Sequence, residues 1–166
     1  DQKTVSGFDT GPGNVLMDLW TQQHFARNFD LNGELAGSGT VNNQLLNHWL
    51  DDPYFRQPAP KSTGREYFNE QWLQSKVCDQ TLEKVDVLAT LTALTAKSVA
   101  NDLLTFSDKG KLLLFGGGAH NAVLVANLKG FLPNWRISHS DDLGIPADFM
   151  EAAAFAWFAH LRITQT

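Results

Sequence analysis

Gly7-Phe8-Asp9-Thr10-Gly11-Pro12-Gly13-Asn14, followed at once by Val15-Leu16-Met17-Asp18-Leu19-Trp20, decides how this chain is read. Val5 and Phe8 mark a short apolar run, and Val15, Leu16, Leu19 and Trp20 fall at helical spacing. The order is therefore strand, glycine turn, helix, with an acid where the strand ends. Glycines let the backbone turn tightly and approach a ligand. Asn14 is placed to cap the helix, whose first N–H groups can face an anion. Asp9 then sits beside a phosphate-sized hole, an arrangement that suits phosphoryl transfer. An acidic turn before a helix is the plainer reading of the same residues.

The remaining elements follow from spacing and breakers. The first helix is predicted over about 14–27, and 28–39 reads as loop, dense in Asn, Asp and Gly. Thr40 or Asn42 is placed to cap a short helix through Leu50. Pro53, Pro58 and Pro60 make 51–61 irregular. Residues 80–106 form the longest periodic run, with Val85, Leu88, Leu91, Thr95, Val99, Leu103 and Phe106 on one helix face. Its small residues (Ala89, Thr92, Ala93, Ala96, Ala100) invite close packing, and no chemistry is assigned to it. A buried strand at 111–115, the turn 116–121 and a helix at 122–128 come next. A second strand is predicted at 135–138. A last helix, from near Pro146 to Leu161, is apolar on every side over 152–159 and reads as buried. Strands alternating with helices give an α/β layered domain, one domain at 166 residues.

Composition narrows the function classes. Hydrophobic residues at 43% and charged residues at 19% describe a soluble globular chain. A net charge of -5 without a basic cluster argues against nucleic-acid binding. The single cysteine, Cys78, offers neither an internal disulfide nor metal-ligand spacing and reads as a buried or semi-buried free thiol. No apolar run approaches the roughly 20 residues that span a bilayer, and no signal peptide is read at the start, which fits the cytoplasm.

Four further candidates are weighed on residues alone. Gly116-Gly117-Gly118 after a strand is a layout that admits a nucleotide, although Asn121 stands where a dinucleotide fingerprint needs Gly or Ala. A tight turn explains it equally well. His120 is left out of the chemistry as a helix-start residue. Glu151, the only acid in the last helix, either contacts substrate or forms a capping box with Asp148. Lys61, Arg65 and Glu66 either hold an anion or fasten a loop. Asp18, one turn beyond Asn14, either supports the glycine turn or faces solvent.

GFDTGPGN with VLMD resembles the phosphate-binding segment of the anhydro-N-acetylmuramic acid kinases, cytoplasmic bacterial enzymes of the sugar kinase, Hsp70 and actin superfamily. PKSTGREYFN at 60–69, ATLTALTAKSVA at 89–100, LLLFGGGAHN at 112–121 and DLGIPADFMEAAAFAWFAH at 142–160 resemble the same family in the same order. The resemblance implies an actin-like (ribonuclease H-like) α/β lobe with a mixed sheet flanked by helices. It implies ATP with Mg²⁺, a sugar substrate, and conversion of 1,6-anhydro-N-acetylmuramic acid to N-acetylmuramic acid 6-phosphate. On that basis Asp9 is the general base, and Thr10, Gly11, Pro12, Gly13 and Asn14 hold phosphate. Gly116, Gly117, Gly118 and Asn121 lie at the nucleotide, and Glu151 at the sugar. The chain opens Asp1-Gln2-Lys3, and the family's second phosphate segment, of Gly-Thr-Ser-x-Asp-Gly type, is missing. It therefore reads as the C-terminal lobe of a two-lobed enzyme, inactive or nearly so alone, with a homodimer left open. The rival readings are a non-catalytic nucleotide-binding lobe and a related kinase for another sugar.

Overall fold

The computed structural model describes residues 5–77 and 81–164, so the expectation for Cys78 falls outside the described residues. Its axis is the helix read from the long periodic run. In chain order the helices are α1 (Val15–Phe25), α2 (Glu34–Ser38), α3 (Asn43–Leu50), α4 (Glu70–Lys76), α5 (Lys84–Phe106), α6 (Ala122–Phe131) and α7 (Met150–Thr164). The strands are β1 (Gly110–Leu114) and β2 (Trp135–His139).

α5 is not amphipathic in the expected way. Residues 87–96 are buried on every side, because α1 to α4 wrap one flank and α6 lies on another. The small residues decide this arrangement. Ala96 and Ala100 carry no bulk, and Leu124, Leu128 and Leu132 close over them. On the other side Trp49, Tyr54, Phe68, Trp72 and Leu73 build an aromatic-rich core with Leu88, Leu91 and Leu94. Past Ala100 the helix emerges, leaving Leu104 and Phe106 exposed, although Phe106 was expected on the buried face.

β1, α6 and β2 form a strand–helix–strand unit. The strands pair in parallel, Gly110 with Trp135 through Leu114 with His139. Parallel neighbours need a crossover, and α6 supplies it. Leu112, Leu114, Trp135 and Ile137 turn toward the α5–α6 cluster. Among the described residues the sheet has these two strands alone, so the architecture is α/β with a small parallel sheet, not the mixed sheet that was expected. β1 is partly buried, with Lys111 exposed, where full burial was expected.

Four local readings are corrected. Residues 5–10 form no strand among the described residues; Asp9 N–H instead bonds the Lys61 carbonyl at 3.0 Å. Residues 28–39 are not loop throughout, since the Asp30 carboxylate accepts from Leu35 and Ala36 N–H, both at 2.9 Å, and starts α2. A 3-10 turn at Pro53–Arg56 breaks the expected irregular stretch. The fourth concerns α7, which has no buried residue: Phe155 is 71% exposed, and Trp157 and Phe158 are exposed with it. Other expectations match. Asn42 caps α3 by accepting from Leu45 N–H, and the turn from Gly116 leads into α6.

Candidate functional site

The glycine segment is seated on α5. Thr95 Oγ1 donates to the Gly13 carbonyl at 2.8 Å. Gly11 lies so close that an added Cβ would stand 2.8 Å from Ser98 Oγ and 3.1 Å from the Phe55 ring. A side chain there would push the segment off its seat. Pro12 is buried and Gly13 exposed, while Thr10, Gly11 and Asn14 are partly buried. Asn14 is not the helix cap that was expected. It has helical backbone angles and makes no capping bond.

The Asn14 side chain reaches the second glycine segment instead. A Cβ on Gly118 would meet Asn14 Oδ1 at 3.0 Å, and one on Gly117 would meet Asn14 Nδ2 at 3.6 Å. Two segments a hundred residues apart thus share one amide as their contact. Between them opens a cleft of about 460 Å³, lined by Asn14, Met17, Asp18, Gly117, His120 and Asn121. Phe29 and Leu31, both more than half exposed, form an apolar wall. That size and mixture of apolar wall with a few polar groups is what small-molecule sites share. The first turn of α1 receives no side-chain cap, and its Val15 N–H is taken by the Pro12 carbonyl at 3.2 Å, so any anion would meet the N–H groups that follow it.

Asp9 occupies a different place. Its carboxylate is exposed in a shallow depression of about 410 Å³ with Gly7, Phe8, Pro60, Lys61 and Ser62. Ser62 Oγ and Thr63 N–H both donate to Oδ2 at 3.0 Å, and among the described residues nothing bonds Oδ1. Tyr54 Oη donates to the Asp9 carbonyl at 2.7 Å. Burial, then the charges of Asp9 and Asp102, raise the Tyr54 phenol, so it remains a donor. Thr10 to Asn14 therefore run from a carboxylate with one free oxygen to the mouth of the cleft.

The other sequence candidates separate. Asn121 lines the cleft, but its Oδ1 caps α6, accepting from Val123 and Leu124 N–H at 3.1 and 3.0 Å. Asp18 borders the cleft, and burial raises its carboxyl against the pull of Arg65. Glu151 is exposed on α7, lines neither hollow, and has no hydrogen bond among the described residues. Asp148 faces His120 Nε2 at 3.3 Å, so the Asp148–Glu151 capping box is not formed. Lys61 is a buried loop fastener, with Nζ 3.0 Å from Asp102 Oδ1. Arg65 is exposed beside a groove that holds Asp18 and Glu70.

Sequence reasoning missed Thr95, Ser98 and Asp102. The signal was present: three polar residues at steps of three and four within an apolar helix mark one face. His120, left out of the chemistry, stands in the cleft wall.

A family model described as anhydro-N-acetylmuramic acid kinase matches residues 1–166. The chain belongs to the anhydro-N-acetylmuramic acid kinase family. It is 52% identical over 163 residues to an anhydro-N-acetylmuramic acid kinase of Sulfurovum sp., covering 97% of this chain and 44% of that one. It is 48% identical over 164 residues to that of Photobacterium profundum, covering 94% and 44%. A Coxiella burnetii protein of the same name is 46% identical over 159 residues, covering 95% and 43%. The chain thus spans less than half the length of the curated relatives it matches. Among its described residues no helix is long and apolar enough to cross a membrane.

Proposed function

We propose that this chain is the C-terminal lobe of a two-lobed, actin-like sugar kinase of the bacterial cytoplasm. The full enzyme converts 1,6-anhydro-N-acetylmuramic acid, ATP and water to N-acetylmuramic acid 6-phosphate and ADP, in recycling of the cell-wall sugar. The observation that carries this reading is the Asn14 amide set against Gly117 and Gly118. It joins the phosphate-type turn to the glycine turn around one cleft, with a carboxylate at the far end of the same segment. Family membership supplies the substrate.

The chemistry divides between the two hollows. At the depression, Asp9 Oδ1 takes a proton from water as the water oxygen bonds the anomeric carbon. The anomeric carbon–O6 bond breaks, and O6 bonds the γ-phosphorus as the bond to the β-phosphate oxygen breaks and ADP leaves. Backbone N–H groups from Thr10 to Asn14 and the α1 N-terminus steady the phosphates as charge shifts. Gly116 to Gly118 admit the nucleotide with Phe29 and Leu31 beside the base. Glu151, which lines neither hollow, is assigned to the sugar on the family resemblance alone. Mg²⁺ accompanies ATP in phosphoryl transfer generally. Among the described residues no cluster of three acidic, His or Cys side chains is ready to cage an ion. Bound with ATP, the ion would offset the charge of the phosphates, and no step runs through it.

Turnover of ATP by the full-length protein is the direct test, with 1,6-anhydro-N-acetylmuramic acid against N-acetylmuramic acid and glucose. ADP is expected with the anhydro sugar alone, and the product by mass spectrometry is one water heavier than the phosphorylated anhydro form. ATP binding without turnover on any sugar would favour a sensing lobe. Turnover on another sugar alone would favour a related kinase.

Gly118→Ala tests the cleft. Its Cβ would stand 3.0 Å from Asn14 Oδ1 and 3.4 Å from Leu124 Cδ2, so the amide must move. The ATP dissociation constant, measured calorimetrically on the full-length protein, is expected to rise at least about tenfold, ~1.4 kcal/mol. Unchanged affinity would place the nucleotide elsewhere.

A further inference from the structure

Beside Asp9 lies a buried ion pair that the reaction does not use. The Lys61 side chain is 2% exposed and that of Asp102 13%. Nζ hydrogen-bonds Oδ1 at 3.0 Å and lies 2.9 Å from Oδ2, off the hydrogen-bond direction. Burying such a pair is costly and seldom adds stability over apolar packing. Its location gives it another use. Asp102 is fixed on α5, the same helix that seats Gly11 and Gly13 through Ser98 and Thr95. Lys61 belongs to the strap 61–63, and that strap makes three bonds to one residue. The Lys61 carbonyl accepts from Asp9 N–H, and Ser62 Oγ and Thr63 N–H donate to Asp9 Oδ2, all at 3.0 Å.

We infer that Ser62 and the Lys61–Asp102 pair are positioning residues that aim the Asp9 carboxylate. The inference rests on the reading of Asp9 as the base. α5 holds the glycine segment directly and holds the strap through Asp102, so both reach the reacting groups from one rigid helix. Two donors on Oδ2 stop the carboxylate rotating and leave Oδ1 turned to the water. A loosely held carboxylate would spend part of its time misaimed, and small misplacements are costly when reacting atoms must be aligned. The phosphate-binding segment lies on the far side of Asp9, so ATP affinity does not depend on the strap.

The test uses the full-length protein, assayed well below its melting temperature, with Asp9→Asn as the reference. Ser62 is exposed, so Ser62→Ala should fold normally. Its kcat is expected to fall about tenfold, the size of one lost hydrogen bond, with the ATP KM within about twofold. Ser62→Thr, which keeps the hydroxyl, should restore most of the rate. Asp102→Asn keeps the shape but removes the charge partner of Lys61. It is expected to lower kcat several-fold with the ATP KM again unmoved. Wild-type kcat in Ser62→Ala while Asp9→Asn is inactive would overturn the role of Ser62 and leave the base in place. A lower melting temperature with intact kcat in Asp102→Asn would reduce the pair to a fastener. Wild-type turnover in Asp9→Asn itself would instead remove the reading on which the inference stands.

Discussion

Asp9→Asn in the full-length protein is expected to lower kcat by about 10³-fold, within the range that a positioned general base contributes. The replacement amide is nearly the same size, and its oxygen can still accept from Ser62 Oγ and Thr63 N–H. Its NH₂ then occupies the position of Oδ1 and has no lone pair for a proton. Shape and tether survive while basicity is lost. ATP affinity should stay within about threefold of wild type, because Asp9 does not border the 460 Å³ cleft. Single-turnover rates and calorimetric ATP binding separate the two quantities. Equal loss of both would make Asp9 part of the phosphate or metal hold, and the water would need another base.

The candidate site was legible where chemistry and backbone coincide in a short stretch. Asp9 and the glycines around it stood out through the resemblance of GFDTGPGN to a phosphate-binding segment, since on the residues alone an acidic turn is the plainer reading. The turn at Gly116 was visible for the same reason. That these two segments meet was not visible, since the contact is a single Asn14 amide on glycines a hundred residues away. Local rules gave Asn14 to its own helix as a cap, and the tertiary contact won. Asn121, chosen for the nucleotide, lines the cleft and in addition commits its Oδ1 to starting α6, a cap that the sequence reading did not give it. Thr95 was counted as a position of the core face and given no chemistry, while Ser98 and Asp102 were passed over by a count of apolar periodicity.

The fold shows a similar division. Helix positions followed spacing and caps well, as α3 under Asn42 illustrates. Burial did not follow, because it depends on what lies beside an element and no pattern within the element encodes that. α7 is apolar on all sides over 152–159 and yet presents Phe155, Trp157 and Phe158 to solvent. α5 was given one apolar face and is enclosed all round over 87–96. The strand expected before Asp9 has no pairing partner among the described residues, and an extended segment without a neighbour is not a strand.

Removing Asp52 is expected to have the largest effect on stability. Its carboxylate is 5% exposed and fully employed. Oδ1 accepts from Tyr67 Oη at 2.6 Å and Tyr54 N–H at 3.0 Å, and Oδ2 from Trp72 Nε1 at 3.0 Å, with Lys76 Nζ at 3.5 Å. Burial alone would raise this carboxyl, but the bonds from Tyr67, Tyr54 and Trp72, with Lys76, outweigh it and hold it below the usual range. The Tyr67 phenol is pushed up to about 12, chiefly by its bond to the same carboxylate. Asp52→Ala leaves those donors facing an apolar gap, and a loss of about 3–5 kcal/mol is expected, as for other broken buried networks. The pH dependence gives the sharper signature. A carboxyl lowered by folding contributes stability that is complete above its unfolded value, about 3.9, and is lost as pH falls through the folded value. Asp52→Asn cannot titrate, so its stability should fall less steeply than wild type as pH drops below about 4. Denaturant melts of the full-length protein and both variants across that window would show it. Parallel acid limbs would mean that other carboxylates govern acid unfolding and that the Asp52 network acts through packing alone. The same network holds Tyr54, whose hydroxyl anchors the Asp9 carbonyl. Asp52→Ala should therefore also lose turnover at temperatures where it remains folded, a coupling that a purely structural aspartate would not show.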